Sequence, residues 1–191
     1  MRKSVSLKLN FFHMELQTDY QNAINYAAEK HTDQKIPGTQ SSYMVHLTTV
    51  AMETMIAGEN TAYFDRGFAV QVALLHDLLE DTSTTFVELQ AAFGLKIADA
   101  VLALSKDETL KPEAQIPDSL ERIKLQSKEV WAVKLSDRIS NMQKPPKHWD
   151  QFKIIAYQKM ARMILSKLKG GNAYLEKRLE EKIIDYNQYI K

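Results

Sequence analysis

The sequence contains no cysteine, and this absence restricts the chemistry that the chain can use. Disulfide bonds and thiolate ligands are excluded, so any metal ion must be held by histidine and carboxylate side chains. The absence also favours a reducing compartment, and we expect a cytoplasmic protein. The search for functional residues therefore starts with the five histidines and the acidic residues around them.

Long apolar runs and an excess of charge are also missing. No segment approaches the roughly 20 consecutive apolar residues that a membrane-spanning helix needs. The N-terminus begins with basic residues, but Lys8, Asn10 and His13 interrupt its apolar residues, which is atypical of a signal peptide. The formal net charge is +1, so bulk charge indicates neither a nucleic-acid partner nor a membrane partner.

Helical periodicity is present along nearly the whole chain. Between about residues 15 and 30, for example, apolar residues recur on one helical face: Leu16, Tyr20, Ala23, Ile24 and Ala27. No alternation typical of β-strands and no internal repeat is found. We therefore predict an all-α protein, a single domain over residues 1–191 with about eight to ten helices. A C-terminal helix over 172–190 is predicted to pack on this array.

Three local predictions concern where helices begin and end. Gly58 is expected to end the second helix, because glycine is common just after a helix. Asp65 can begin the helix that leads through to Glu80, since an aspartate side chain accepts a hydrogen bond from the first helical turn. The segment 105–117 is polar and contains two prolines, which predicts a loop.

The stretch ALLHDLLEDT at 73–82 is the most informative part of the sequence. An apolar run ends in four ionisable residues, His76, Asp77, Glu80 and Asp81. On one continuous helix the i,i+4 pairs would place all four side chains along one rim. Burying such charges is costly unless they are paired or bind a metal. Two interpretations remain open at this point: a hydrogen-bonded core histidine with capping carboxylates, or part of a metal site.

Two more residues extend the metal interpretation. His46 lies one turn inside the second predicted helix, and Asp137 follows the apolar stretch VWAVKL. Taken alone, His46 reads as a partly buried surface residue and Asp137 as half of an ion pair. Together with His76 and Asp77 they would form a set of two histidines and two carboxylates. Such a set suits Mn²⁺, Fe²⁺ or Zn²⁺, leaves a coordination position open, and can lower the pKa of a bound water.

These residues resemble a known family. A histidine, then His-Asp, then a distant aspartate is the pattern of HD-domain metal-dependent phosphohydrolases. More closely, the chain resembles the hydrolase domain of RelA/SpoT-type enzymes, over about residues 23–168. The similar segments occur in the same order and at similar spacing: AINYAAEKHTDQK, SSYMVHLTTVA, ALLHDLLEDTSTTFVELQAAFG and AVKLSDRISNM. The resemblance implies a small, stand-alone alarmone hydrolase that removes the 3′-pyrophosphate from ppGpp or pppGpp.

The resemblance also implies roles for individual residues. Four positions match the family's metal ligands, usually for Mn²⁺: His46, His76, Asp77 and Asp137. Glu80 and Asp81 match the acidic pair that orients and deprotonates the attacking water. Four further positions match residues that contact the substrate: Lys35, Asn141, Lys153 and Tyr157.

One departure from the family pattern affects the expected substrate. Where the family carries an Arg-Lys pair that stacks on guanine and touches phosphate, this chain has Gln34-Lys35. Three functions therefore stay open: the alarmone hydrolase, a hydrolase of another phosphorylated nucleotide such as NADPH or a nucleoside phosphate, and a non-catalytic nucleotide-binding module. The expected partner is a phosphorylated guanosine nucleotide, with no nucleic acid and no membrane, and the sequence allows a homo-oligomer.

Overall fold

The computed structural model describes the backbone of residues 2–191 and the side chains of residues 15–191. Within this part the regular structure is helical, with one isolated bridge between Lys35 and Ser42. The all-α prediction is confirmed. The helices, in chain order, are α1 (Arg2–Lys30), α2 (Met44–Glu59), α3 (Arg66–Leu75), α4 (Leu78–Asp81), α5 (Phe86–Phe93), α6 (Leu95–Leu104), α7 (Pro112–Lys124), α8 (Lys128–Asn141), α9 (Gln151–Lys167) and α10 (Ala173–Asp185).

Helix α3 lies at the centre of the array and packs against α1, α2, α6 and α8. It is apolar on nearly every side, and seven of its ten residues are buried. A helix that is hydrophobic all round has to be enclosed by others. Asp65 begins it as predicted, because the Asp65 side chain accepts the backbone N–H of Phe68 at 3.0 Å. The C-terminal end of α3 therefore delivers His76 into the interior.

The continuous helix predicted from Asp65 to Glu80 is wrong, because the chain breaks at His76 and Asp77. Helix α3 ends at Leu75, and Asp77 has φ −98° and ψ 0°, a sparsely populated backbone conformation between two helices. The His76 ring bonds to the Ala73 carbonyl at 2.8 Å. Such a side-chain bond competes with the helical hydrogen bonds of the backbone. The break lets the side chains of two consecutive residues face the same point, which a regular helix would separate by about 100°.

Two other boundary predictions are corrected. Gly58 lies inside α2, which continues to Glu59. A Cβ atom at Gly58 would lie 2.6 Å from Arg66 Cγ and 2.8 Å from Phe64 Cδ1, so glycine is needed there for close packing rather than as a stop signal.

The predicted loop 105–117 is also too long, because α7 begins at Pro112. Proline suits the first helical position, where its missing N–H has no intrahelical partner to lose. Pro117 lies inside the helix and removes one backbone hydrogen bond there. The segment between α6 and α7 is therefore a short loop of residues 105–111.

The C-terminal part packs against the helices that carry the site. Helix α10 contacts α8 and α9, and its Arg178 forms a bidentate ion pair with the buried Glu53 of α2. The α-helix ends at Asp185, and Tyr186–Tyr189 form a 3₁₀ turn. Among the described residues, no helix combines the length and the apolar character needed to cross a membrane.

Candidate metal centre and substrate cleft

Two histidine rings and one carboxylate meet at the inner end of α3. The Nε2 atoms of His46 and His76 lie 3.4 Å apart. The Oδ2 atom of Asp77 lies 3.5 Å from Nε2 of His46 and 3.1 Å from Nε2 of His76. One ligand atom from each of these three residues lies within 4.8 Å of the others, a spacing that could hold a metal ion. The three residues come from α2 and from the break after α3.

Asp137 of α8 contributes a fourth side chain to this group, from a helix other than α2 and α3. Its Oδ1 atom lies 3.6 Å from Nε2 of His46 and 3.8 Å from Nε2 of His76. An ion with ligand bonds of roughly 2 Å can bridge atoms at these separations. The structure thus brings together the four residues that the sequence proposed as ligands, although 91 positions separate the first from the last.

Hydrogen bonds behind the two histidines orient their rings. His76 Nδ1 lies 2.8 Å from the Ala73 carbonyl oxygen, which can only accept, so Nδ1 carries a hydrogen. His46 Nδ1 lies 3.0 Å from the Ser140 hydroxyl. In each ring the Nδ1 atom therefore faces outward to a protein partner, and Nε2 faces the shared centre. Partners of this kind fix the ring orientation of metal-binding histidines.

The two carboxylates are held in the same way. The Tyr43 hydroxyl donates to Asp77 Oδ2 at 2.6 Å, and the Lys134 ammonium donates to Asp137 Oδ2 at 3.0 Å. Asn141 donates its amide hydrogen to Asp137 Oδ1 at 2.5 Å. Asp137 Oδ2 is thus occupied by the lysine, and Oδ1 faces the histidines.

Neighbouring charges shift the pKa values of the clustered residues. Burial alone would lower the pKa of His76, but the charge of Asp77 and the hydrogen bonds to Asp137 and Asp77 raise it to about 10. Burial would raise the pKa of Asp137, yet the charges of Lys134 and His76 hold it well below its usual range. The buried Asp137 and the partly buried Asp77 thus favour the protonated form of His76. The donor set and its outer hydrogen bonds fit a divalent cation, with which both imidazoles would be neutral.

The acidic pair lies beside this cluster on α4. The Glu80 side chain is 17% exposed, and its Oε2 accepts the backbone N–H of Lys106 at 3.0 Å while its Oε1 accepts the Lys106 ammonium. Asp81 is exposed and accepts the side-chain amide of Gln34 at 2.9 Å. Both carboxylates therefore have partners from loops that lie outside α4.

The four residues proposed to contact the substrate are placed differently from one another. Asn141 joins the cluster through Asp137, and Tyr157 is partly buried on α9. Lys35 is exposed in the loop before α2, and Lys153 is exposed with its ammonium 4.8 Å from the centre of the Trp149 ring. No hydrogen bond or ion pair joins Lys35 or Lys153 to the clustered ligands within the described side chains.

Comparison with known proteins identifies the family. The sequence profile of the HD domain matches residues 23–166, which is most of the chain. The chain belongs to the HD-domain family. The resemblance seen in its sequence motifs is thereby confirmed.

Named relatives of this HD-domain protein agree with one another. It is 30% identical over 167 residues to the guanosine-3′,5′-bis(diphosphate) 3′-pyrophosphohydrolase MESH1 of Danio rerio, covering 85% of this chain and 91% of the relative. It is also 32% identical over 127 residues to the guanosine-3′,5′-bis(diphosphate) 3′-pyrophosphohydrolase of Aquifex aeolicus. That match covers 65% of this chain and 17% of the longer Aquifex aeolicus protein. A solved structure described as a metazoan ortholog of SpoT that hydrolyses ppGpp superposes with a TM-score of 0.76 and 26% identity, covering 87% of this chain and 94% of that one.

Sequence reasoning missed Tyr43, although a signal for it existed. Tyr43 stands three residues before His46, a spacing that places two side chains on the same face of a helix. Its ring lies 5.2 Å from the His46 ring, and its hydroxyl binds Asp77. Burial and the charge of Asp77 raise the pKa of Tyr43 above its ordinary value, so the hydroxyl keeps its hydrogen and donates it.

Three further residues of this HD-domain site make contacts that the sequence did not predict, although Gln34 was already named at the position of the family's Arg-Lys pair. Lys106 and Gln34 come from loops and contact the acidic pair. Arg138 is 6% exposed and lies over the Tyr157 ring at 4.6 Å, while its Nε and Nη1 atoms have no hydrogen-bond partner. These three contacts join segments far apart in the chain, and periodicity carries no information about such contacts.

Proposed function

We propose that this HD-domain protein is a metal-dependent pyrophosphohydrolase that removes the 3′-pyrophosphate of ppGpp or pppGpp. The observation that supports this most strongly is the meeting of His46, His76, Asp77 and Asp137 next to an acidic pair. The relatives named for this activity support it further, because the similarity extends along 91% of the Danio rerio protein.

We infer that the metal ligands are His46, His76, Asp77 and Asp137, and that the ion is Mn²⁺. Two imidazoles and two carboxylates suit Mn²⁺, and these four residues would hold the ion. When bound, the ion would act as a Lewis acid and would lower the pKa of a water molecule that it binds. Lys134 and Tyr43 would keep the two carboxylates aimed at it.

Glu80 and Asp81 would orient the attacking water and take its proton. In the reaction, the water oxygen forms a bond to the phosphorus nearest the ribose, and the bond from that phosphorus to the 3′ oxygen breaks. The proton accepted by the carboxylate can then pass to the departing 3′ oxygen, so the products are pyrophosphate and GDP or GTP. General base catalysis of this kind contributes about 10²- to 10⁴-fold to rate. Asn141 and Tyr157 would line the cleft beside the reacting phosphates.

A second candidate function rests on Gln34. This residue stands where related enzymes carry an arginine, and its amide is bonded to Asp81 instead of lying free to stack on a base. That observation favours a hydrolase of another phosphorylated nucleotide, such as NADPH or a nucleoside phosphate. A non-catalytic nucleotide-binding module is disfavoured, because all four clustered residues and both acidic residues are present.

A nucleotide panel separates these functions. The protein would be assayed with Mn²⁺ on ppGpp, pppGpp, GTP and NADPH, with phosphate and pyrophosphate measured separately. The proposed function predicts pyrophosphate with GDP from ppGpp and pyrophosphate with GTP from pppGpp, at rates far above release of phosphate from GTP or NADPH. Equal rates on all of them would favour the second candidate, and no turnover on any would contradict both.

A further inference from the structure

A substrate that carries a pyrophosphate has to approach a site that is already rich in negative charge. Four carboxylates lie in or beside the proposed metal centre, where the substrate would bind: Asp77, Glu80, Asp81 and Asp137. A divalent ion and the Lys134 ammonium offset part of this charge, but Lys134 is buried and held by Asp137. Like charges repel, and the repulsion is stronger where the groups are partly shielded from water. A further cation beside the acidic pair would offset this repulsion.

Among the described residues, Lys35, Arg138 and Lys153 form no ion pair with the acidic pair. The Lys153 ammonium lies over the Trp149 ring, and the guanidinium of Arg138 packs on Tyr157. Lys35 forms no ion pair among the described residues. Within that part of the chain, Lys106 is the cation that contacts the acidic pair.

Lys106 holds Glu80 through two separate atoms, and this arrangement is the basis of the inference. Its ammonium contacts Oε1, while its backbone N–H donates to Oε2 at 3.0 Å. If the ammonium left, the backbone bond would still keep Glu80 in place. The Lys106 side chain is 38% exposed, so it has room to swing towards a ligand in the cleft.

The backbone of Lys106, in contrast, is fixed by its neighbours. The carbonyl of Ser105 accepts a hydrogen bond from Arg122 Nη2 at 2.7 Å, and Arg122 also binds the carbonyl of Leu102 and the carboxylate of Asp118. The start of the 105–111 loop is thus attached to α7. Because the backbone of Lys106 is fixed and its charged side chain can move, the ammonium can pass from one anion to another without a movement of the loop.

The charge of Lys106 also acts across the cleft. Burial opposes its charged form, but the hydrogen bond and charge of Glu80, together with the charges of Asp77 and Asp81, raise the pKa of Lys106 above its ordinary value. Burial raises the pKa of Tyr157, and the charges of Arg138 and Lys106 act in the opposite direction. Lys106 therefore stays charged beside the acidic pair.

We propose that Lys106 is a substrate-binding residue that exchanges partners, from Glu80 in the free protein to the pyrophosphate of the bound substrate. The exchange brings a cation to the phosphates. It also releases Glu80 from its ion pair, while the backbone N–H of Lys106 still holds the Glu80 carboxylate. Glu80 is then free to accept a proton from the attacking water. This inference rests on the proposed function. It assigns to the loop after α6 a binding role that neither the family motifs nor the relatives' names include.

Binding of the two separate products tests the assignment without turnover. Inorganic pyrophosphate and GDP would each be titrated into the full chain, with Mn²⁺ in excess over the ligand, by calorimetry. Because a charged hydrogen bond is lost, Lys106→Gln should weaken pyrophosphate binding about 10- to 100-fold and leave GDP binding within about twofold. Lys106→Arg keeps the charge and should retain most of the affinity.

The matched control is Lys169→Gln, which removes the same charge from an exposed residue in the turn after α9. It should bind both products as the wild type does. Wild-type affinity of Lys106→Gln for pyrophosphate would overturn the inference. So would an equal loss of affinity for both products together with a lower melting temperature, since that pattern indicates a purely structural role.

The exchange itself is tested with Glu80→Gln. This change releases Lys106 from its partner, so pyrophosphate should bind more tightly, and the gain should be larger with Lys106 present than in the E80Q/K106Q double variant. If Glu80→Gln increases pyrophosphate affinity equally with Lys106 and with Gln at position 106, Glu80 only repels the ligand. That result would contradict the proposed exchange. A wild type that binds pyrophosphate through Lys106 but fails to hydrolyse ppGpp would contradict the proposed function alone.

Discussion

The Tyr43 hydroxyl donates a hydrogen bond of 2.6 Å to Asp77 Oδ2, across 34 residues of sequence. The same oxygen lies 3.1 Å from His76 Nε2, so Tyr43 holds the carboxylate oxygen that contacts the histidine. The ring of Tyr43 also stacks on the buried His31 at 5.2 Å. One tyrosine thus links the loop before α2 to the proposed metal centre.

Tyr43→Phe should weaken Mn²⁺ binding about 10-fold, because loss of an outer hydrogen bond to a ligand usually reduces metal affinity by 10- to 100-fold. The ring and its packing remain, so the fold should be unchanged. Calorimetric titration of Mn²⁺ into metal-free protein measures the effect. Tyr26→Phe is the control, since the Tyr26 ring packs edge-on against Phe93 away from the cluster. Identical Mn²⁺ affinity in the wild type and Tyr43→Phe would contradict the role given to this hydroxyl.

The raised pKa of His76 predicts how the metal-free protein responds to pH. Folding raises this pKa from 6.5 to about 10, so protonation of His76 stabilises the folded state. The contribution is complete below pH 6.5 and is lost as the pH rises through about 10. Urea unfolding of metal-free protein should therefore show falling stability over this range, more steeply than in His76→Asn. A flat profile would show that His76 is not protonated.

The same shift predicts proton release when the metal binds. At pH 8 the metal-free His76 carries a proton, and a metal-bound imidazole must be neutral. Mn²⁺ binding should then release about one proton, seen as a dependence of the binding enthalpy on the ionisation enthalpy of the buffer. Binding enthalpies that are equal in all buffers would contradict this prediction.

Glu80→Gln and Asp81→Asn test the acidic pair. Each change keeps the size of the side chain but removes a carboxylate that can take a proton. Each should lower kcat on ppGpp by about 10²- to 10⁴-fold, while the Mn²⁺ content stays at the wild-type level. Glu180→Gln on the exposed part of α10 is a matched control and should leave kcat unchanged. Loss of metal together with activity would mean that the pair supports the metal centre instead of the water.

The ion pair of Glu53 and Arg178 is predicted to stabilise the fold without taking part in the chemistry. Glu53 is 2% exposed, and Arg178→Met would leave its charge buried without a partner. The expected loss is about 3 kcal/mol of unfolding free energy, measured in urea. The E53M/R178M double variant should lose much less, because no charge is left buried. Greater instability of the double variant than of Arg178→Met would contradict this explanation.

The sequence was sufficient to predict the fold class, the family and the residues that meet at the centre. Helical periodicity depends on local spacing, and the motifs around His46, His76 and Asp137 are specific enough to identify the family. The all-α fold and the HD-domain family are confirmed by the structure and the comparisons. The roles of individual residues remain proposals.

Contacts between distant segments could not be predicted in the same way. The break after Leu75 depends on the bond from His76 to the Ala73 carbonyl and on tertiary packing, whereas the local pattern reads as continuous helix. The contact of Lys106 with Glu80 depends on how Arg122 attaches the 105–111 loop to α7. Neither contact produces a periodic pattern of apolar residues from which it could be predicted.

The measurement that tests the account most directly is the metal content of Asp77→Ala beside that of the wild type. After loading with Mn²⁺ and gel filtration, elemental analysis should find about one ion per wild-type chain and almost none in the variant, because one ligand and its charge are gone. Circular dichroism should show that the variant is still helical, and ppGpp hydrolysis should be lost with the metal. Equal metal content in the two proteins would contradict the proposed centre and the mechanism that depends on it.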